Sequence, residues 1–186
     1  MDNGASSYRR FRDNGDQSAL IEIIRDYKDG LILYLTSIVG NVQTAEDLAE
    51  DTFVLIGTKK PKDKGKSSFK TWLYTIGRNV AIDHLRKHSK HIEVSIEDNA
   101  ELVSDEDAIE TEYIKKEQKI TVHKAMRKLS SEHQQVLWLI YFEELSSTEA
   151  AKIMKKSVRS IESLLYRARK SLRSQLEMEG FDYEKL

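Results

Sequence analysis

The sequence predicts an all-α protein made of two small helical domains, joined by an acidic linker. Three observations predict it. Apolar residues recur every three or four positions over most of the chain, the period of helices buried on one side. Alternating strand-type runs are missing, and one proline and eight glycines leave long helices nearly uninterrupted. Charge is segregated, although the formal net charge is only −1. Residues 59–91 hold ten Lys/Arg against Asp63 and Asp83, and residues 93–117 hold ten acids against Lys115 and Lys116. Residues 152–173 then hold eight bases against Glu162 alone. Two basic blocks flank an acidic one, which suits two binding modules on a tether better than evenly solvated helix faces.

The expected organisation is a flexible polar tail over 1–15, a helical domain over 16–90, the acidic linker over 91–116, a second helical domain over 117–178 and a tail over 179–186. The helical period starts at Asp16. Leu20, Ile24, Tyr27, Leu31, Leu35 and Ile38 form one stripe, which Gly30 can bend or break and Gly40-Asn41 ends. Thr44 is expected to cap the next helix, with Asp47 at its third position. "KKPKDKGKSS" over 59–68 is a basic loop without an apolar residue. Ser67 or Ser68 can cap the helix that follows. In that helix Phe69, Leu73, Ile76 and Val80 form a core stripe. Trp72, Thr75, Asn79, Asp83 and Arg86 form a second stripe about a quarter turn away. A Trp in line with polar groups fits either the edge of a core or a surface that meets a ligand.

The acidic linker has no sustained apolar period beyond a possible helical start near Ile109 to Ile114, and self-repulsion should extend it. From Glu117 the period returns through Ile120, Val122, Ala125, Met126 and Leu129. A helix capped by Ser130 or Ser131 buries Val136, Leu137, Leu139 and Ile140. Ser146 with Glu149 is a full capping box for the next. Ser157 caps the last, which runs to about Glu177.

Composition excludes several classes. With no cysteine, disulfides and thiolate metal sites are ruled out. No apolar run is long enough to span a bilayer, and "MDNGASSYRR" has no apolar signal core. A cytoplasmic protein without membrane insertion is expected. Glu46, Asp47, Glu50 and Asp51 could hold Mg²⁺ in a DNA-cutting enzyme. No base or lysine is positioned beside them, so an exposed acidic helix face is preferred. His84 and His88 stand at metal-ligand spacing, but with no further ligand evident they are expected to be solvated or to face DNA. No enzyme activity, metal, cofactor or small-molecule substrate is expected.

Residues 146–169 have helix-turn-helix proportions. On the second helix Val158, Ile161, Leu165, Ala168 and Leu172 make an apolar side. Arg159, Ser163, Tyr166 and Lys170 lie opposite, flanked by Glu162 and Arg167. Arg can bind both acceptors on guanine, and Glu can accept from cytosine N4, so this face can read bases in a major groove. The turn is Lys155-Lys156. A lysine in the left-handed conformation expected there costs about 1 kcal/mol.

Three stretches together resemble the extracytoplasmic-function (ECF) sigma factors, small bacterial RNA polymerase specificity subunits. They are "TAEDLAEDTFVLIG" (44–57), "FKTWLYTIGRNVAIDHLRK" (69–87) and "LSSEHQQVLWLIYFEELSSTEAAKIMKKSVRSIESLLYRARKSL" (129–172). The resemblance covers about 17–88 and 117–176. It implies that Asp47, Leu48, Glu50, Asp51 and Phe53 form or support a surface for the polymerase clamp helices. It places Lys66, Ser67, Lys70, Thr71, Trp72, Asn79, Asp83, Arg86 and Lys87 toward the promoter −10 element. It places Arg159, Ser160, Glu162, Ser163, Tyr166, Arg167 and Lys170 toward the −35 element. Core RNA polymerase, promoter DNA and an anti-sigma factor are the implied partners. The chain departs from the family pattern where Glu50-Asp51 replaces Gln-Glu, and at Thr75, Lys155 and Glu162. The alternative is a stand-alone helix-turn-helix regulator, which leaves the Trp72 helix and the acidic linker without a role.

Overall fold

The computed structural model describes residues 3–62, 65, 67–89 and 121–181. Four helices make the N-terminal unit: α1 (Asn3–Asn14), α2 (Gln17–Val39), α3 (Val42–Lys59) and α4 (Phe69–Ser89). The C-terminal unit begins with α5 (121–127). It continues with α6 (Ser131–Leu137), which runs into a π-helical turn (Trp138–Phe142), then α7 (Ser147–Met154) and α8 (Val158–Met178). No strand occurs among the described residues. The acidic linker, the helical start expected near Ile109, Lys66 and residues 182–186 lie outside them.

Local chemistry sets most boundaries. The Asp16 carboxylate accepts from the amides of Ser18 and Ala19 and starts α2. Gly40 ends it at φ 76. Gly30 does not break α2, and its missing side chain leaves room for Glu143 and Tyr74. The cap of α3 is Asn41, not Thr44: the Asn41 side chain accepts from the Thr44 amide at 2.9 Å, so Thr44 is already inside the helix. Ser68 Oγ accepts from the Thr71 amide at the start of α4. Ser130 caps α6, the Ser146–Glu149 capping box starts α7, and Ser157 caps α8.

The expected tail over 1–15 is mostly helix α1. Tyr8 and Phe11 are each 1% exposed. Tyr8 packs tilted against Phe69 and Trp72 at centroid distances of 5.6 and 4.9 Å. Burying two aromatic rings is worth roughly 1.5–3 kcal/mol each, enough to fix a short polar helix. Arg10 adds ion pairs to Asp16 and Glu22 across the α1–α2 corner.

The two units share one continuous buried core, from Tyr8 to Ala168. Helix α2 meets α6 and the π-turn, and α4 meets α7. Ser131 Oγ donates to the Ser37 carbonyl at 2.6 Å across this junction. Within the π-turn the Trp138 and Phe142 rings stack at 4.2 Å.

Candidate nucleic-acid interface

Helices α7 and α8 form the expected helix-turn-helix. Lys155 between them is left-handed, at φ 54 and ψ 45. Its strain is offset locally: its own amide and the Lys156 amide close the end of α7 onto carbonyls of Lys152 and Ala151. Lys156 also pairs with Glu132 at 2.8 Å. Ile161, Leu164, Leu165 and Ala168 are buried and fix one side of α8. On the other side Arg159, Ser160, Glu162, Ser163, Tyr166, Arg167 and Lys170 are all exposed, Tyr166 to 71%. Glu162 forms no ion pair among the described residues. The structure therefore brings together every residue expected on this face, and within it the Arg167 guanidinium donates to the Ser163 carbonyl at 3.4 Å.

Helix α4 is different. Its far end is open: Asp83, Arg86 and Lys87 are exposed, with Arg86 and Asp83 paired at 3.5 Å, and Asn79 is half-buried. Its start is engaged by the C-terminal unit. Lys70 Nζ lies 2.8 Å from Glu143 Oε2 and donates to the Glu143 carbonyl at 3.1 Å. Ser68 and Thr71 donate their hydroxyls to Glu149 Oε1 at 2.8 and 3.0 Å. Thr71 is 1% exposed and does not face solvent. Ser67 is half-buried. Trp72 is partly buried between Tyr8 and Phe69, the latter 5.5 Å away, and keeps part of its ring at the surface. Desolvation pushes the Glu149 carboxyl up, but hydrogen bonds from Ser68, Ser146 and Thr71 outweigh it and hold its pKa below the ordinary value. Burial, then the adjacent Glu143 carboxylate, push the Tyr74 phenol above its ordinary range.

On α3, Asp47, Glu50 and Asp51 are exposed, while Leu48 and Phe53 are 4% and 6% exposed and support them from inside. Asp47, Glu50 and Phe53 line a groove of about 750 Å³ with Leu20, Ile24 and Phe11. An apolar floor under an acidic rim suits a basic, amphipathic protein element. Asp51 is not in that lining; it acts on His84 instead. His84 and His88 lie tilted against each other at 4.2 Å, and desolvation followed by the His88 charge lowers the His84 pKa. No group of three or more metal-binding side chains occurs among the described residues.

Sequence patterns alone missed the contribution of α1 and the partners Glu143 and Glu149. Tyr8 and Phe11, three positions apart, were the available signal for α1, but two aromatic residues in a polar stretch make a thin pattern.

Comparison with known proteins agrees with this layout. Residues 23–91 match the Sigma-70 region 2 family and residues 119–172 match Sigma-70 region 4. The RNA polymerase sigma factor YlaC of Bacillus subtilis is 32% identical over 86% of this chain and 93% of its own length. The ECF RNA polymerase sigma factor SigM of the same organism is 31% identical, with coverages of 82% and 92%. The sigma factor RpoE from Bartonella quintana, solved in complex with the anti-sigma factor NepR, superposes with a TM-score of 0.68 and 25% identity, over 84% of this chain and 95% of that one. Two family matches in order, each on one helical unit, and relatives aligned almost end to end establish that the chain belongs to the ECF RNA polymerase sigma factors.

Proposed function

We propose that this chain binds core RNA polymerase through the α3 groove and directs initiation at promoters, with α8 on the −35 element and α4 on the −10 element. The observation that carries the reading is the α8 face: seven exposed residues with a buried side opposite, on the second helix of a helix-turn-helix. Arg159 suits a guanine and Glu162 a cytosine amino group in the major groove, while Lys170 and Arg167 suit phosphates. At α4 the exposed part of Trp72 suits an unpaired base. Stacking on an aromatic is worth roughly 1–3 kcal/mol, comparable with the cost of unstacking one base. The acidic linker would avoid DNA and lie against basic polymerase surfaces.

In this reading the chain is not an enzyme. It supplies specificity and strand separation to the polymerase, which does the chemistry, and it works in the bacterial cytoplasm where template and polymerase are. No helix among the described residues is long and apolar enough to cross a membrane, which is compatible with that location. The RpoE neighbour was solved with its anti-sigma factor. By analogy we expect an anti-sigma factor to bind this chain. Run-off transcription with core enzyme on a random promoter library tests the proposal. Promoter-specific transcripts that depend on added protein are expected, and none on any template would sink it. A stand-alone regulator would instead bind its selected site tightly without polymerase.

A further inference from the structure

We propose that the C-terminal unit carries a binding site for a free, single-chain anionic amphiphile, a carboxylate on an acyl tail, between α5, the π-turn and α8. The inference stands apart from the promoter reading. None of the residues assigned to DNA or to polymerase lines the site.

The site is a cavity of about 510 Å³ whose lining is almost wholly carbon. Small-molecule sites usually span roughly 300–1,000 Å³. Val122 and Met126 of α5 form one wall, Leu172 and Leu176 of α8 a second, and Tyr141 and Phe142 of the π-turn a third. On α8, Arg169, Leu172, Arg173 and Leu176 recur at spacings of three and four, so two leucines and two arginines share one helix face. The π-turn supplies the aromatic wall. It adds a residue to the coil, and within it Trp138 and Phe142 stack face to face at 4.2 Å. Tyr141 and Phe142 stay 53% and 43% exposed. Aromatic rings left uncovered beside an apolar hollow mark an interaction site, and π-turns are frequent at such sites.

The charge at the rim selects the ligand. Arg173 Nε is held by Glu177 at 2.9 Å. Arg169 is exposed and forms no ion pair among the described residues. Its guanidinium lies 5.9 Å from the centre of the Tyr141 ring, which seats it at the cavity and not out in bulk solvent. A guanidinium so placed can take both oxygens of a carboxylate. Among the described lining, the side-chain polar groups are the Tyr141 hydroxyl and the two guanidiniums, and all can donate to an anion. A sugar or a nucleotide would set unpaired hydroxyls against carbon. A hydrocarbon tail leaves no polar group unpaired there, while a carboxylate head meets Arg169. A bilayer lipid suits less well, because its tail would have to leave the membrane.

Titration calorimetry of the full chain with octanoate, decanoate and dodecanoate, each below its micelle concentration, tests the proposal. One site per chain is expected, with affinity rising by up to about 4-fold per added methylene. Dodecylammonium has the same tail and the opposite charge, and should bind roughly tenfold more weakly than dodecanoate. Arg169→Gln should weaken dodecanoate by roughly tenfold and erase its advantage over dodecylammonium. Val122→Phe fills the cavity without touching its charge and should weaken all three acids. A thermal midpoint near that of wild type shows that this variant is folded. Arg169 is exposed, so Arg169→Gln tests the site even if Val122→Phe unfolds. No saturable heat with any acid overturns the site, as does affinity indifferent to tail length. Equal binding of the two head charges, or dodecanoate affinity unchanged in Arg169→Gln, overturns the anionic head. Capture of the chain by phosphatidylglycerol vesicles, lost in Arg169→Gln, would move the ligand to a membrane surface and overturn the free amphiphile.

Discussion

Helices α4 and α8 are both 21 residues long and both begin with a serine hydroxyl at the cap, yet only α8 leaves its polar face free. On α8 the groups expected to touch DNA are open to solvent from Arg159 to Lys170. On α4 the first turn is bonded to Glu143 and Glu149, and Trp72 is packed between Tyr8 and Phe69. A helix that reads paired bases needs only a rigid body in a groove. A helix that captures an unpaired base needs an aromatic seat held by neighbours, and those neighbours come from elsewhere in the chain. The difference predicts that substitutions on α8 act on sequence preference, and substitutions around α4 act on opening.

The largest effect is expected at Trp72. Trp72→Ala removes the ring on which a base would stack, worth roughly 1–3 kcal/mol. The rate of promoter opening, followed with a fluorescent base analogue at −10, should fall about tenfold, while closed-complex affinity measured by footprinting stays near wild type. Equal loss at both steps would erase the distinction between α4 and α8. On the other helix, Glu162→Lys should change the selected −35 sequence at one position, by roughly 1–3 kcal/mol of base discrimination. Opening rate on the newly preferred promoter should match that of wild type on its own. An unaltered selection profile would remove Glu162 from the readout.

The same contrast governs how much could be read from the sequence. The α8 face was legible because everything it needs is local. Ser157 caps it, Ser146 and Glu149 cap its partner, and the buried and exposed residues alternate with the helix period. The surroundings of α4 were not. Lys70 meets Glu143 across 73 positions, and Thr71 meets Glu149 across 78. One sequence carries no trace of such pairs. Helix α1 reads as a tail in the sequence because Tyr8 packs against Phe69 and Trp72, far along the chain. The Asn41 cap was misplaced by three residues because Thr44 and Asn41 are both good caps, and only geometry chooses between them. The π-turn adds a residue with no compositional mark.

A smaller effect should come from α1. Tyr8 donates its hydroxyl to the Pro61 carbonyl at 2.7 Å, which ties the base of the 59–68 loop to the Trp72 seat. Tyr8→Phe keeps the ring and removes this bond, a loss of about 1 kcal/mol. Thermal unfolding should shift down by a few degrees, about 2–8 °C for a domain of this size range. Promoter opening should slow by a few-fold with no change in −35 preference. A changed −35 profile would mean that the two helices are not separable in the way proposed.

The smallest effect tests whether the α8 side is as self-contained as it looks. Lys155 holds φ 54 and ψ 45, a conformation that costs a lysine about 1 kcal/mol and a glycine almost nothing. Lys155→Gly relieves that cost in the folded chain. It also loosens the unfolded chain, which takes back roughly 0.4–1 kcal/mol. The two terms nearly cancel, and the net change should lie within about 0.5 kcal/mol of zero, as for a surface site without a special role. Urea unfolding should therefore show an almost unmoved midpoint and an unchanged slope. Affinity for the −35 element should hold as well, because Lys155 lies at the turn, outside the face from Arg159 to Lys170. If affinity falls instead, the turn itself touches the phosphate backbone. The boundary of the α8 surface would then have to be drawn one turn earlier.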